Sequence, residues 1–294
     1  MPETNRKAII VGISGASSSG KTTLARLLRD TFPHTFILHQ DDFYRPENEL
    51  PYKEGLLDWD CAEALDFDAM ERALEHIRSE GTFPPFVDSK EDQNSIGTCP
   101  VPEASIRAAK SRVEAWLASG RAGHAIFPPP SSSSSSSSEP KLRLCLVDGF
   151  LLFGPDPPLR RLADGLFDVR LFLTVGRRRA TARRTARDGY VTLEGFWADP
   201  PGYVDKVVWP NYAASHAWLF EGGDVEGRLS ADALGEGGIL ALPDVIGGGG
   251  GGGGGDGGVS EADGAAGLDV DMRITFEWAV ETLMRKLEEV TEKL

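Results

Sequence analysis

Apolar residues in this chain come in short unbroken runs that alternate with helical patterns. Ala8 to Ile13 (AIIVGI) is one such run, long enough for a strand and too short for a buried helix. It shows no polar alternation, which predicts a strand covered on both faces, as in a parallel sheet. Thr22 to Arg29 follows with Leu24, Leu27 and Leu28 at helical spacing, and Pro33 closes that helix. Thr35 to His39, Leu142 to Val147 and Val169 to Val175 repeat the strand pattern. Ala62 to Arg78 predicts a helix with Leu65, Met70, Leu74 and Ile77 toward the core. Near the end, Phe276, Val280, Leu283, Leu287 and Val290 make one apolar stripe that needs a surface to cover. We expect it to pack on the sheet, with a partner helix as the alternative. Strands alternating with helices predict one α/β core around a parallel sheet.

Two segments break this pattern. From 82 to 140 the periodicity loosens; Lys110 to Leu117 fits a short helix, but PPPSSSSSSSSEP (Pro128 to Pro140) is low complexity and cannot build a core. From 221 to 268 the chain includes nine consecutive glycines, Gly247 to Gly255, a run that loses maximal backbone entropy on ordering. Both are expected to be insertions with disordered tracts. They interrupt a single domain spanning 1–294, which a helix over 269–294 closes. Composition points the same way: 34 Gly and 19 Pro are too many for a compact domain of 294 residues, while 40% hydrophobic residues suffice for a core.

Charge narrows the partners. A formal net charge of -14 argues against general nucleic-acid binding, which needs a basic surface to displace counterions. A local basic pocket for a small anion stays compatible with it. No apolar run approaches eighteen residues and the N-terminus lacks a charged-then-apolar pattern, so neither a membrane span nor a leader is expected. Cys61, Cys99 and Cys145 are widely spaced with no CxxC pair, as for reduced thiols rather than a metal site or disulfide framework. The expectation is a cytoplasmic protein, with the nucleus as a second compartment, and a monomer.

Candidate chemistry begins between the first strand and the first helix. Gly15, Ala16, Ser17, Ser18, Ser19, Gly20, Lys21 and Thr22 match G-x-x-x-x-G-K-[ST] at every fixed position. Glycines let backbone N–H groups turn inward around a phosphate, and the helix N-terminus adds favourable dipole charge. Lys21 would reach the β- and γ-phosphates while the Thr22 hydroxyl would ligate Mg²⁺. A plain Gly/Ser turn has no need of Lys-Thr there. This reading leaves motors, GTPases and small-molecule kinases open.

Three further stretches bear on that choice. In HQDDFYRPE (His39 to Glu47), Asp41 follows a strand end, where carboxylates point into the ligand crevice and can accept a hydroxyl proton. The bland reading is that Asp41 and Asp42 open a solvated turn. In LLDWDCAEALDFD (Leu56 to Asp68), Trp59-Asp60 sets an aromatic face beside a carboxylate, which suits a base and a ribose; a Trp59 that is simply core is the alternative. Asp58, Asp66 and Asp68 read as helix-end or surface acids. In GRRRATARRTARDGY (Gly176 to Tyr190), six of the eleven residues from Arg177 to Arg187 are arginine. Arg179, Arg183 and Arg187 recur every four residues on one helix face, suited to neutralising a transferring phosphoryl group. RNA binding is the competing use.

GISGASSSGKTTLA, QDDFYRPE, LDWDCAEALDFD, VDGFLLF and DPPGYVDKVVWPNY, in that order, resemble the nicotinamide riboside kinases of the fungal kind. These sit within the uridine kinase and phosphoribulokinase branch of phosphate-loop kinases. The resemblance implies a parallel-sheet P-loop NTPase fold like that of nucleoside monophosphate kinases, with ATP and Mg²⁺. It implies that Asp41 is the general base, acting with Lys21, and that residues 15–22 with Thr23, Arg183 and Arg187 surround ATP. Tyr44, Trp59, Asp60, Arg184 and Tyr190 would hold the nucleoside, Asp60 on the ribose hydroxyls, while Thr22, Asp41 and Asp148 would hold the metal. Asp148 sits where relatives often carry Glu. Between Tyr190 and Pro201 the chain is longer than animal relatives, which leaves Tyr190 and Phe196 as candidates to stack on nicotinamide.

The expected reaction is ATP-dependent phosphorylation of the 5′-hydroxyl of nicotinamide riboside to nicotinamide mononucleotide, for NAD synthesis. A uridine/cytidine kinase is the alternative on the same chassis. A non-catalytic nucleotide-sensing module is a third, against which intact Lys21, Thr22 and Asp41 argue.

Overall fold

The computed structural model describes residues 6–89, 97–119, 142–187, 189–192, 195–242 and 268–293. The serine tract and the glycine run lie outside the described residues. The strands are β1 (Ala8–Gly15), β2 (Thr35–His39), the short antiparallel pair β3 (Tyr52–Lys53) and β4 (Leu56–Leu57), β5 (Arg143–Gly149) and β6 (Val169–Leu173). A second antiparallel pair, β7 (Tyr190–Thr192) and β8 (Gly195–Trp197), is followed by β9 (Ile239–Leu240). Five of them form one sheet in the order β2-β5-β1-β6-β9, parallel throughout. β1 is buried at all eight positions, which is why its run is continuously apolar.

Each face of the sheet carries a helical layer. Ile9, Val11 and Ile13 of β1 pack against α1 (Lys21–Arg29), α3 (Glu103–Ala118) and α8 (Met272–Thr291). Ala8 and Ile10 face the opposite layer, built from α2 (Phe67–Glu80), α4 (Pro157–Leu166), α5 (Arg177–Thr185) and α6 (Trp209–His216). The C-terminal stripe packs on the sheet side as expected, with Phe276, Val280, Leu283 and Leu287 fully buried. Val290 is only half-buried, at the helix end.

Three boundaries differ from the sequence expectation. The helix expected from Ala62 starts at Phe67, because Asp66 caps it: its Oδ1 accepts the Ala69 N–H at 2.9 Å. Ala62–Ala64 is a separate 3-10 turn. The short helix expected at Lys110 to Leu117 spans Glu103–Ala118, with Ala109, Val113 and Trp116 buried and the Trp116 indole donating to Glu288 at 2.7 Å. The segment expected as insertion from 221 begins as ordered chain. Val225, Leu229, Ala233 and Ile239 are buried, α7 (Ala231–Leu234) is capped by Ser230, and β9 joins the sheet edge. Val225, Leu229 and the Ala233-Leu234 pair are spaced too irregularly to show a period, and the apolar run Ile239 to Leu242 is only four residues long.

The strand order places the ligand crevice. β1 lies between β5 and β6, so connections from the centre run to both sides, and ligands bind beyond the carboxyl ends of the strands at such a switch point. His39 is the register partner of Asp148, Ser14 of Gly149, and Gly15 of Leu173, so these strand ends share one edge.

Candidate active site

The loop after β1 requires its glycines. Gly15 has φ 145° and Gly20 φ 103°, both in the left-handed half of backbone space. A Cβ on Gly15 would lie 2.2 Å from the Leu173 carbonyl oxygen, and one on Gly20 2.3 Å from the Met272 methyl carbon. Inside this turn Lys21 is buried, and its Nζ donates to the Ala16 carbonyl at 2.8 Å. Burial pulls its pKa down to about 8, against the pull of Asp148 and Asp41.

Next to the lysine is an oxygen-rich corner. The Thr22 hydroxyl donates to Asp148 Oδ2 at 2.5 Å, and His39 Nδ1 meets Asp148 Oδ1 at 2.5 Å. Burial works to raise the Asp148 pKa, but His39, Thr22 and Lys21 together hold it below the usual carboxylate range. Asp41 lies in the 3-10 turn Gln40–Phe43 that leaves β2. The preceding Gln40 ties that turn to the end of β5, donating to the Leu151 carbonyl at 2.6 Å and accepting the Leu151 N–H at 2.9 Å. Thr22, Asp41 and Asp148 offer hydroxyl and carboxylate oxygens, the donors a hard cation such as Mg²⁺ prefers, and Mg²⁺ needs few of them because it keeps water and phosphate oxygens.

Opposite chemistry gathers around Arg184. Its terminal nitrogens reach Asp60 at 2.8 and 3.0 Å, its Nε reaches Asp199 at 2.6 Å, and one terminal nitrogen also donates to the Ser17 hydroxyl at 2.9 Å. Tyr190 and Tyr203 present ring faces to the same guanidinium, at 5.2 and 5.5 Å. Tyr203 also accepts the Trp59 N–H at 3.0 Å. It stands at the head of a π-helical turn, Val204–Val208, that precedes α6 and Pro210. Aromatic rings line the space beside the acids: Tyr44 packs edge-on to Trp59 at 5.2 Å and stacks on Phe150 at 6.3 Å, and Trp59 meets Trp197 at 5.7 Å. The phosphate loop, the acids, the arginines and these rings line one cavity of about 330 Å³.

No family model matches the chain. It is 39% identical over 226 residues to the nicotinamide riboside kinase of Schizosaccharomyces pombe, covering 76% of this chain and 86% of that protein. It is 37% identical over 233 residues to that of Eremothecium gossypii, covering 79% and 85%. With that of Saccharomyces cerevisiae the identity is 33% over 228 residues, covering 77% and 85%. The chain belongs to the nicotinamide riboside kinase family.

In this family member most of the residues singled out from the sequence line the cavity. Ser17, Ser18, Gly20, Lys21, Thr22 and Thr23 do so from the loop and α1; Asp41, Tyr44, Trp59, Asp60 and Asp148 from strand ends and the turns after them; Arg183 and Arg184 from α5, Arg187 from the turn after it and Tyr190 from β7. Gly15, Ala16 and Ser19 shape the loop behind them. Trp59 satisfies both of its readings, since it lines the cavity and also packs in a small cluster with Leu57, Tyr203 and Val207.

Three placements differ. Arg179, expected on one face with Arg183 and Arg187, turns to the Asp269 carbonyl at 2.8 Å, while Arg183 donates to the Ser18 carbonyl at 3.2 Å. Asp58, read as a helix-end or surface acid, is 4% exposed: both its oxygens accept from Asn211, at 2.9 and 2.8 Å, and one takes the Asp60 N–H at 3.0 Å. It braces the Trp59-Asp60 turn. Phe196 is 63% exposed, whereas its neighbour Trp197 lines the cavity, as alternation along β8 requires.

His39, Phe150, Trp197 and Asp199 were not singled out as site residues. Phe150 follows the VDG of β5 and Asp199 precedes PPGY, so both lay within stretches already quoted. What was missing was their partners, Tyr44 and Arg184, which only the fold supplies. No helix among the described residues is long and apolar enough to cross a membrane.

Proposed function

We propose that this kinase transfers the γ-phosphoryl group of ATP to the 5′-hydroxyl of nicotinamide riboside, giving nicotinamide mononucleotide for NAD synthesis. One observation carries the reading: a single cavity is lined by phosphate-loop residues, by the Asp41 carboxylate, and by the Asp60–Arg184 pair among aromatic rings. That combination fits a triphosphate, a hydroxyl to be deprotonated, a ribose and a flat base. The curated relatives carry the same activity in their names.

The roles follow from chemistry. Asp41 accepts the proton of the attacking hydroxyl. Lys21, Arg183 and Arg187 balance charge on the phosphates, and Asp60 accepts from the ribose hydroxyls while Arg184 orients it. Tyr44, Trp59 and Trp197 offer aromatic surface to the pyridinium ring, a cation that π-faces favour, while Tyr190, whose ring Arg184 and Arg187 cover, borders the nucleoside beside them. Thr22, Asp41 and Asp148 would hold Mg²⁺, which when bound neutralises charge on the phosphate oxygens. Because the transition state of phosphoryl transfer is loose, positioning and charge outweigh proton removal.

The test is a substrate panel on purified protein with ATP and Mg²⁺, following ADP and the phosphorylated nucleoside. Nicotinamide riboside should be converted with the highest kcat/KM. ADP release that ignores added nucleoside would sink the kinase reading, and a preference for uridine or cytidine would replace the substrate.

A further inference from the structure

His39 touches the proposed metal ligand Asp148 and lines the same cavity. It ends β2, and Asp148 is its register partner in the neighbouring parallel strand β5, so both side chains leave the sheet on the same face. The ring is 2% exposed and its Nδ1 lies 2.5 Å from Asp148 Oδ1. The other carboxylate oxygen, Oδ2, takes the Thr22 hydroxyl at 2.5 Å. An ionised carboxylate only accepts, so Nδ1 is the protonated nitrogen and the Nδ1–H tautomer is selected.

Aspartate turns about two side-chain torsions. With one oxygen on His39 and the other on Thr22, both torsions are fixed. Two attachments from different elements define the plane of the carboxylate, as neither would alone. The buried Asp148 would otherwise leave Oδ1 unpaired, which costs a buried acceptor more than the hydrogen bond returns in net stability.

We propose that His39 is a positioning residue of the phosphoryl-transfer site, orienting the Asp148 carboxylate so that one oxygen stays aligned with the Thr22 hydroxyl on the metal side. The inference rests on the kinase reading above. Outer-shell partners of this kind, a ring N–H on a ligating carboxylate, govern metal affinity more than substrate affinity. The consequence is a specific one: losing the Nδ1 donation should weaken metal use and leave nucleoside binding alone.

Two polar variants separate orientation from packing. His39→Asn carries an amide N–H near the position of Nδ1 and retains the donation; His39→Gln carries it near Nε2 and loses it. Both are measured as the full chain, beside the wild type, for the Mg²⁺ concentration giving half-maximal rate, the KM for nicotinamide riboside, and melting temperature. Mn²⁺ binding to the ADP complex, with free Mn²⁺ counted by electron paramagnetic resonance and no nucleoside present, gives a readout independent of turnover. His39→Gln should raise the Mg²⁺ requirement and the Mn²⁺ dissociation constant about 10–100-fold with nucleoside KM unchanged, while His39→Asn stays within about threefold of wild type. Equal behaviour of the two variants in metal use, whether both normal or both impaired, would overturn the assignment and leave His39 as packing. A wild type that is inactive on every nucleoside would instead overturn the kinase reading, and Mn²⁺ binding would still score the two variants against each other.

Discussion

Arg184 grips Asp60 with both terminal nitrogens, at 2.8 and 3.0 Å, across 124 positions of sequence. Both residues are buried, and Asp199 closes the other side of the guanidinium. Burial works to discharge Arg184, yet Asp60, Tyr190 and Asp199 hold its pKa well above the ordinary arginine value. Burial also raises the pKa of Asp60, and Arg184 is the main force opposing it. The two side chains therefore depend on each other for their charge.

Arg184→Met should be severely destabilising, because it strands two carboxylates that have lost their partner. Breaking a buried pair from one side costs about 3–5 kcal/mol. Arg184→Lys keeps the charge but not the fork, and should fall between Met and wild type. Urea unfolding midpoints measure both; a Met variant as stable as wild type would show that the network contributes nothing to the fold.

Asp41→Asn should leave ATP binding nearly intact and lower kcat by about 10²–10⁴-fold, the usual contribution of a positioned base. Lys21→Ala should impair both nucleotide affinity and rate, since Lys21 belongs to the phosphate loop. Steady-state kinetics with nucleotide binding measured by calorimetry distinguishes the two patterns. Near-normal turnover of Asp41→Asn would remove it from the base role.

Nicotinamide riboside and uridine share a ribose 5′-hydroxyl, so in the proposed roles Asp41 and Asp60 would not tell them apart and discrimination would fall on the rings. The kcat/KM for nicotinamide riboside should exceed that for uridine by at least about tenfold, roughly 1.4 kcal/mol in the transition state. Trp197→Leu should narrow that ratio, whereas Phe196→Ser, at an exposed position, should leave it unchanged. Asp60→Ala should weaken both substrates alike.

His216 adds a pH dependence to stability. It is buried against Phe172 and Tyr212, and its Nδ1 lies 3.0 Å from the Tyr212 carbonyl. Burial lowers its pKa from 6.5 to about 4, so the native state holds the neutral ring. The unfolded chain takes up the proton first, below its own pKa of 6.5. Stability is therefore full above that pH and is lost as pH falls from there toward 4, by about 3 kcal/mol in all. Unfolding free energies from pH 7.5 down to 4.5 should show this slope, and His216→Phe should flatten it. An unchanged slope in the variant would move the effect to other groups.

Elements built on an unbroken period or an unbroken run were legible in the chain. β2 was expected at Thr35 to His39 and is found there, and four of the five residues of the α8 stripe lie buried. The phosphate loop was legible because its glycines answer a local demand of backbone and crowding. Where period and composition were silent, the expectation slipped. α3 is longer than expected because Ala109, Val113 and Trp116 find their surface on α8, far along the chain. The start of the expected second insertion is ordered because Val225, Leu229 and Ala233 join the core and the short apolar run at Ile239 pairs with the sheet edge.

Sequence alone determined the parallel α/β core, the turn after β1 that a phosphate fits, and the kinase family to which these motifs belong. These depend on neighbours within a few positions, whose geometry is set by local sterics and by burial on one face or two. Tertiary structure decided which acids are paired and which rings face the cavity. Asp58 read as a surface acid until Asn211 was brought to both its oxygens. Trp197 and Phe196 differ by one step of the strand, and only the packing of β8 selects Trp197 for the cavity. The charge on Arg184 is likewise a property of the fold, because Coulomb energy depends on distance and burial, and neither follows from separation along the chain.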